Sequence, residues 1–385
     1  MTGCPPEERL ARAALSRIGE PDDRGLRRLV AAEGAVGAWA SLRRGDGRSP
    51  EGRLTGLLAR AAAADPDRDL TRIAALDGRV ICPGDVEWPA GLDALDHLEQ
   101  PAPFALWLRG GGDLAVQAAR GVAIVGARAA TAYGVRVAGD LSAELAAAGC
   151  CVVSGGAYGI DGAAHRGALV ADAPTVVVLA CGVDVAYPRG HVSIFTQAAT
   201  EGVIVSEAPP GSVAMRHRFL IRNRLIAALG LGTVVVEAAV RSGALSTAGH
   251  AERLSKPVMA VPGPIGSALS AGCHLLIRDR NAILVTSADQ VLEVVSPAGQ
   301  RTLPAPRGFT APYDELSALC RRLLDVVPAR TPAATVRIAV DAGIEPRTAT
   351  GQLAELAAAG FVERDGAGWR LAPGYRGRAG EPAEP

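Results

Sequence analysis

Two short apolar runs, each followed by a glycine-containing turn and then a helical pattern, constrain the fold of this chain more than any other feature. The first run, residues 122–125, ends at Gly126-Ala127-Arg128 and precedes a helical pattern over residues 133–148. The second run, residues 151–153, ends in the turn Ser-Gly-Gly-Ala-Tyr-Gly-Ile-Asp at 154–161. This order is typical of a parallel βαβ unit. Because such turns lie side by side and helix starts favour anions, the sequence predicts a phosphate-binding crevice with Arg128 at its lip.

Further apolar runs extend this unit into a larger sheet. They stand at residues 175–180, 203–205, 233–237, 258–261 and 283–285, with helical stretches between them. Most of these runs are apolar throughout, which indicates strands covered on both faces. Parallel strands joined by crossover helices satisfy this pattern. The predicted fold class is therefore α/β, with a doubly wound, mostly parallel Rossmann-like sheet.

Smaller regions are predicted on both sides of the sheet. Residues 1–65 are interpreted as a small helical domain, SAM-like or helix-hairpin-helix-like, with breaks at Gly19-Glu20-Pro21 and Gly34, and residues 61–69 as a linker or helix end. Three helical patterns and a hairpin pattern near the C-terminus indicate a winged helix. The predicted boundaries are 1–65 for the helical domain, 75–296 for the Rossmann-like domain, 297–312 for a linker, 313–373 for the winged helix and 374–385 for a disordered tail.

Composition limits the classes of function. Of 385 residues, 49% are hydrophobic and 21% charged, which indicates a folded protein. The net charge is zero, so nucleic-acid affinity requires a local basic patch. Neither a signal peptide nor a membrane span is predicted. The seven cysteines are scattered without a C-x-x-C pair, so neither a zinc nor a disulfide framework is expected, and the protein is predicted to be reduced and cytoplasmic.

One segment provides the basic patch that a polyanion requires. Residues 208–236 hold no carboxylate but contain Arg216, Arg218, Arg222 and Arg224. We expect Arg222-Asn223-Arg224 to lie where a helix begins, with its guanidinium groups beside free N–H donors. The alternative is a solvated helix face.

The glycines of the second turn permit close approach of the backbone to a ligand, although a tight strand-to-helix turn alone would explain two of them. Tyr158 either stacks on a base or packs on its own helix. Arg241-Ser242-Gly243 follows another strand, where ligand contact competes with a role as cap and turn. The predicted site residues are Arg128, Ser154, Gly155, Gly156, Ala157, Tyr158, Gly159, Arg222, Asn223, Arg224, Arg241, Ser242 and Gly243.

Catalytic and cofactor sites are not predicted. Asp161 and His165 share a helix face, but a metal or acid–base pair lacks a third partner, and a helix-capping Asp with a packed His is favoured. The chain has no G-x-G-x-x-G dinucleotide motif and no P-loop. We expect no catalytic residue, no metal and no cofactor.

Taken in order, the motifs resemble the DprA (Smf) family of DNA-processing proteins over nearly the whole chain. Each motif alone is weak, but the ordered set is specific. The motifs are Gly126-Ala127-Arg128, Tyr133-Gly134, the turn at 154–161, Ala164-His165, Cys181-Gly182-Val183-Asp184, Tyr187-Pro188, Ser206-Glu207, Pro210-Gly211, the segment 219–226, Glu237-Ala238, Arg241-Ser242-Gly243, Thr247-Ala248, Val261-Pro262-Gly263 and Ser270-Ala271-Gly272.

The resemblance implies a binder of single-stranded DNA without catalytic activity of its own. Members of the family protect incoming strands during natural transformation, load the RecA recombinase onto them, and dimerise through the Rossmann-like domain. The family's DNA pocket falls on Arg128, the turn at 154–159 and Arg222-Asn223-Arg224. The chain departs from the family at Ala127, where serine is usual, and at Tyr158, where a basic residue is common.

Two other classes of function remain as alternatives. A Rossmann-like enzyme that hydrolyses nucleoside monophosphates would use Glu237 or Asp161 as its carboxylate, but the P-G-G-x-G-T motif of that family is missing. A transcriptional regulator would read duplex DNA through the winged helix. Its recognition helix offers only Arg347, beside Glu345.

Overall fold

The structure is a computed structural model that describes residues 3–46, 48–49, 52–53, 55–97, 101–297, 312–366 and 368–373. It separates into two compact units, Met1–Leu303 and Pro304–Pro385. The predicted tail, and all of the predicted linker except its end residues, lie outside the described residues. The first unit includes both the N-terminal helices and the α/β sheet, and the domain boundaries inside it stay a prediction.

Four helices and two very short strands come first in the chain. Their bounds are α1 Pro6–Ile18, α2 Arg24–Arg44, β1 Arg48–Ser49, β2 Gly52–Arg53, α3 Thr55–Ala63 and α4 Pro66–Ala74. The predicted break at Gly34 is present as a kink inside α2, where φ is 71°. Residues 61–69 begin with the end of α3, in agreement with one of the two alternatives, but they are not a linker, because Asp65 caps α4 by accepting from the Arg68 N–H and Pro66 starts that helix.

The remaining strands of the first unit form one nine-stranded sheet. Their bounds are β3 Gly78–Ile81, β4 Leu106–Arg109, β5 Gly121–Val125, β6 Cys151–Ser154, β7 Thr175–Leu179, β8 Val203–Ser206, β9 Thr233–Val235, β10 Val258–Ala260 and β11 Ile283–Leu284. The strand order is β11-β10-β9-β5-β6-β7-β8-β4-β3. All neighbours from β11 to β8 are parallel, and β4 and β3 are added antiparallel at one edge. The predicted mostly parallel sheet is confirmed.

The helices between these strands cover both faces of the sheet. They are α5 Leu114–Ala118, α6 Ala132–Ala147, α7 Ile160–Val170, α8 Val192–Glu201, α9 Arg216–Leu229, α10 Gly243–Arg253, α11 Ala271–Asp279 and α12 Ala288–Val295, with 3-10 helices at Ala90–His97 and Arg189–His191. Strand β5 illustrates why the apolar runs are continuous. Ala123 and Val125 belong to one core cluster, whereas Val122 and Ile124 belong to the cluster on the other face. A strand buried on both faces has no position for a polar residue.

The start of α9 differs from the sequence prediction. The helix begins at Arg216, without a side-chain cap, and Arg222 therefore lies in its second turn. The prediction that a helix begins at Arg222 is wrong, because the polar first turn of α9 hides the helical period. The N–H groups of Arg222 to Arg224 are consequently inside a helix and are not free to bind an anion.

The second unit contains three helices and a hairpin. Their bounds are α13 Ala318–Leu324, α14 Thr335–Ala342, α15 Pro346–Ala358, β12 Val362–Asp365 and β13 Gly368–Leu371. Strands β12 and β13 pair antiparallel, and Gly343 ends α14 in the left-handed conformation with φ of 63°. The elements agree with those expected from the sequence, while their assignment as a winged helix stays a prediction.

Candidate nucleic-acid interface

A crevice of ≈ 430 Å³ opens at the carboxyl ends of β5 and β9. The chain runs outward from β5 to β8 and then returns to β9 on the other side of β5, so the strand order reverses between these two strands. Ligands of open α/β sheets bind at such a reversal point. The residues that line the crevice are Val125, Gly126, Arg128, Ala157, Asp161, Arg216, Phe219, Leu220, Arg222, Asn223, Ile226, Ser242, Gly243, Ala244 and Thr247.

The turns after β5 and β6 pack directly on each other at the crevice floor. Gly159 has φ of 76°, and a Cβ there would lie 2.5 Å from the Arg128 carbonyl oxygen. The Ile160 N–H donates to the Ala127 carbonyl at 3.2 Å. Gly159 is therefore required for contact between the two turns, whereas the sequence prediction assigned the glycines to close approach of a ligand. Gly156 has φ of 68°, and a Cβ there would lie 2.9 Å from the Phe195 ring.

Arg222 lies under the second turn. Its Nη1 donates to the carbonyls of Gly155, at 2.7 Å, and Val178. A Cβ on Gly155 would lie 2.6 Å from the Arg222 Cζ, so only glycine leaves room for this guanidinium. Ser154 is fully buried, and its hydroxyl donates to the Ile124 carbonyl at 2.6 Å. The predicted DNA contact of Ser154 is therefore corrected to a bond between neighbouring strands.

The charge of Arg222 is buried without an ion-pair partner in the described part of the chain. The residue is 6% exposed, and burial lowers the pKa of Arg222 to about 10, although the nearby Asp161 opposes this shift. Burial raises the pKa of Asp161, against the effects of Arg222 and of the Ala157 N–H. The Arg222 Nε has no hydrogen-bond partner among the described residues. A desolvated cation beside a solvent-filled crevice favours an anionic ligand.

An exposed arginine and an aromatic ring stand at the mouth of the crevice. The Arg128 Cζ lies 4.7 Å from the centroid of the Phe219 ring, which is a cation–π contact. The Tyr187 ring also lies close to Phe219, with 5.5 Å between the ring centroids. Arg216, one helical turn before Phe219, is exposed and also lines the crevice.

Sequence reasoning missed Phe219 as a site residue and placed Arg216 only in a general basic segment. The spacing of Arg216, Phe219 and Asn223 follows the i, i+3, i+7 pattern of one helix face. That spacing would have assigned both residues to the crevice if the correct start of α9 had been known.

The loop after β9 closes the crevice on the other side. The Asn223 side chain donates to the Gly243 carbonyl at 3.1 Å. The Ser242 hydroxyl caps α10 by accepting from the Ala244 N–H at 3.2 Å. Both predicted residues are thus brought to the crevice, and both also have structural roles. Arg241 is exposed but does not line the crevice.

Arg224 and Tyr158 are not brought into the crevice. Arg224 is fully buried on a different face of α9, where its Nη2 donates to Glu207 at 2.9 Å and to the Pro101 carbonyl at 3.1 Å. A direct DNA contact by Arg224 is therefore corrected to a structural ion pair. Tyr158 is 52% exposed and packs edge-on against His191, with ring centroids 4.9 Å apart. Base stacking by Tyr158 stays a prediction.

The carboxylate and histidine that an enzyme would use have structural partners. Glu237 is 1% exposed and accepts from the Thr131 N–H at 2.9 Å and the Thr131 hydroxyl at 2.6 Å. His165 is fully buried beside the Thr175 hydroxyl, 2.8 Å from its Nδ1, and burial lowers the pKa of His165 to about 3. The favoured interpretation of His165 as a packed residue agrees with this environment.

Within the described residues, no group of three or more His, Cys, Asp or Glu side chains could hold a metal ion. The seven cysteines are free thiols, and six of them are buried. None of the described helices is long and apolar enough to cross a membrane.

Comparison with known proteins identifies the family. The family model described as DNA recombination-mediator protein A matches residues 79–296. A putative DNA processing protein DprA of Mycobacterium tuberculosis (strain CDC 1551 / Oshkosh) is 44% identical over 375 residues, which cover 95% of each chain. The X-ray structure of DNA processing protein A from Streptococcus pneumoniae is 26% identical, with a TM-score of 0.61 over 76% of this chain and 98% of that one.

A second solved structure of a DNA processing protein is also similar to this chain. It is of DNA processing protein A from Helicobacter pylori, with a TM-score of 0.50 and 28% identity over 57% of this chain and 95% of that one, and is described by its single-stranded DNA binding mode. The model match, the full-length relative and the common fold agree, and the chain belongs to the DNA recombination-mediator protein A family, also known as DprA or Smf.

Proposed function

We propose that this protein binds single-stranded DNA in the crevice between β5 and β9, without catalysing a reaction, and that it loads RecA recombinase onto the bound strand during DNA uptake and recombination. The observation on which this rests is the combination of Arg128, Arg216, Arg222 and Phe219 around one opening at the reversal point of the sheet.

The charge of the crevice suits a phosphate backbone. Three arginines line it against a single carboxyl group, Asp161, in a chain whose net charge is zero. Arg128 and Arg216 are exposed and can exchange water for phosphate oxygens, whereas Arg222 provides a fixed, desolvated charge at the floor. Guanidinium groups bind phosphate with two parallel hydrogen bonds, which gives them an advantage over lysine.

The aromatic ring favours a single strand over a duplex. Phe219 is partly exposed at the mouth, with Arg128 over its ring. A base can stack on such a ring only when it is not stacked in a duplex, and each stacked base contributes ~1–3 kcal/mol. Stacking and phosphate contacts do not read base edges, so little sequence preference is expected.

The related proteins support this proposal. Single-stranded DNA is the ligand named for the protein of known structure from Helicobacter pylori. RecA loading, action in natural transformation and a homodimer formed through the Rossmann-like domain are the properties that membership of the DprA family implies. We include all three in the proposal.

The alternative of nucleoside-monophosphate hydrolysis has less support. Glu237 does not line the crevice. Both of its carboxylate oxygens accept hydrogen bonds from Thr131, the residue before α6. Asp161 lines the crevice but is buried and accepts from the Ala157 N–H at 3.3 Å. Neither carboxylate is arranged as a free nucleophile or base.

A binding comparison tests the proposal. Fluorescently labelled oligonucleotides, the same sequence as a duplex, and nucleoside monophosphates are titrated with the full chain over a range of salt concentrations. We expect the single strand to bind most tightly, with log K falling against log salt by about 0.7 for each phosphate contacted. Tighter binding of duplex, a salt-independent affinity, or release of free base from a nucleotide would contradict it.

A further inference from the structure

Helix α9 presents two different faces to the rest of the first unit. One face supplies Arg216, Phe219, Arg222 and Asn223 to the crevice. His217 and Arg218 of the same first turn do not line the crevice and contact Glu20 in the loop between α1 and α2. The element that supplies more of the crevice lining than any other is thus also an element that contacts the N-terminal segment.

Glu20, in the loop between α1 and α2, binds two consecutive side chains of this first turn. Its Oε1 accepts from Arg218 Nη2 at 2.6 Å, and its Oε2 accepts from Arg218 Nε at 2.9 Å. His217 Nε2 lies 3.1 Å from the same Oε2. Burial opposes ionisation of Glu20, but the hydrogen bonds from Arg218 and His217 outweigh it, so the pKa of Glu20 is lowered. The carboxylate therefore stays charged in this contact.

The first turn of α9 needs such an external partner. Its N-cap residue, Met215, provides no side-chain hydrogen bond, and the turn contains no acidic residue to offset the helix dipole. The cationic side chains of Arg216 and Arg218 next to a helix N-terminus are unfavourable, and Glu20 compensates for that of Arg218. Without Glu20 the turn would fray more readily, and Arg216 and Phe219 lie within it.

A second connection holds the middle of the same helix. Glu207 accepts from Arg224 at 2.9 Å and lies 3.8 Å from Arg27 of α2, whose guanidinium packs 3.8 Å from the Phe104 ring. Because this buried anchor fixes the position of α9 as a whole, a change at Glu20 is expected to act locally on the first turn.

We propose that Glu20 is a positioning residue for single-stranded DNA binding, which acts through Arg218 and His217 to hold Arg216 and Phe219 in place at the crevice. The N-terminal helices thereby set the affinity of a site that they do not line. This inference rests on the proposed function, since it concerns the affinity of the same crevice.

Electrostatics alone predicts the opposite effect. Glu20 is an anion near a site for a polyanion, and its removal also frees Arg218 and His217 to contact phosphate. If charge alone determined binding, Glu20→Gln would increase the affinity for single-stranded DNA. If Glu20 positions the first turn, Glu20→Gln decreases that affinity, so the direction of the change separates the two explanations.

The experiment compares Glu20→Gln with the matched control Glu33→Gln, an exposed glutamate on α2. Both variants change the net charge by the same amount in the same N-terminal segment. We expect Glu20→Gln to weaken oligonucleotide binding about three- to tenfold, within the roughly two- to thirtyfold range for residues that act on a site without touching its ligand. Glu33→Gln should bind like the wild type. Amide hydrogen exchange in residues 219–222 should accelerate in Glu20→Gln only, a local effect that general destabilisation would not produce.

A double-mutant cycle with Arg216→Ala tests the route of the effect. If Glu20 acts through the first turn of α9, the loss caused by Glu20→Gln should be smaller when Arg216 is already alanine. Unchanged or tighter binding by Glu20→Gln, an equal loss in Glu33→Gln, or full additivity in the cycle would overturn the proposal. Failure of the wild-type protein to bind the oligonucleotide would instead refute the proposed function itself.

Discussion

Replacing Arg128 by alanine is the sharpest test of the crevice, because the structure separates its contribution to binding from its contribution to stability. The side chain is exposed and lies 4.7 Å from the Phe219 ring, and its electrostatic interactions with Asp161 and Arg222 have opposite signs. A cation–π contact at an exposed site contributes ~0.5–1 kcal/mol, so the free energy of unfolding should fall by no more than that. Hydrogen bonds of a charged group contribute ~1.5–3 kcal/mol, which predicts a loss of DNA affinity of about 10- to 150-fold.

The measurement pairs oligonucleotide binding with urea denaturation of the same preparations. Arg128→Lys keeps the charge without the planar fork and should fall between wild type and Arg128→Ala. Arg136→Ala, at an exposed position of α6 outside the crevice lining, is the control for a general loss of positive charge. If Arg128 braces the sheet instead of binding DNA, its alanine variant will lose stability while its affinity per folded molecule is unchanged. That result would refute the reasoning.

Three further predictions address the surroundings of the crevice. Gly155→Ala should destabilise the fold by ~1–3 kcal/mol and weaken DNA binding, because the new Cβ would lie 2.6 Å from the Arg222 Cζ; denaturation and binding assays report both effects. Thr131→Val should lower the free energy of unfolding by ~1–3 kcal/mol in denaturation, because it removes the hydrogen bond from the Thr131 hydroxyl to buried Glu237. A loss of DNA affinity per folded molecule would contradict the structural role given to Glu237. Burial lowers the pKa of His165 to about 3, so below about pH 6.5 the unfolded state takes up the proton first, and the free energy of unfolding should fall by up to ~1.4 kcal/mol per pH unit. In denaturation from pH 7 to 4, His165→Gln should show a shallower decrease of stability with pH than the wild type. An unchanged slope would exclude His165 as the cause.

The sheet and the position of the crevice could be predicted from the sequence because both depend on local signals. Apolar runs such as residues 122–125 and 151–153 reveal strands buried on both faces, and the glycines after them reveal turns. The carboxyl-end rule then brings the turns together without any knowledge of distant contacts. Strand β3, at the antiparallel edge, was not assigned, because its residues 78–81 include a glycine and an arginine in place of a continuous apolar run.

The assignment of individual arginines could not be predicted, because it depends on contacts between distant segments. Arg224 is buried and forms an ion pair with Glu207, which is 17 positions away along the chain and outside α9. Arg218 is held by Glu20, 198 positions away. No spacing rule in the arginine-rich segment distinguishes these residues from Arg216, which lines the crevice. The absence of a capping residue at Met215 also hid the true start of α9.

Arg222 adds a buried, desolvated positive charge to the exposed arginines of the crevice. Burying a guanidinium is costly, and here two backbone carbonyls, those of Gly155 and Val178, offset part of that cost while the Nε remains without a partner among the described residues. Replacement of this arginine by an apolar residue would remove the cost of burying the charge but leave both carbonyls without this donor, so we expect it to destabilise the fold. Under the proposed function, a phosphate at the crevice would offset part of the remaining cost, because the guanidinium is already desolvated before the ligand arrives. Under the proposed function, the exposed Arg128 and Arg216 would attract the strand over a longer range, whereas buried Arg222 would supply a fixed charge beside the phosphate.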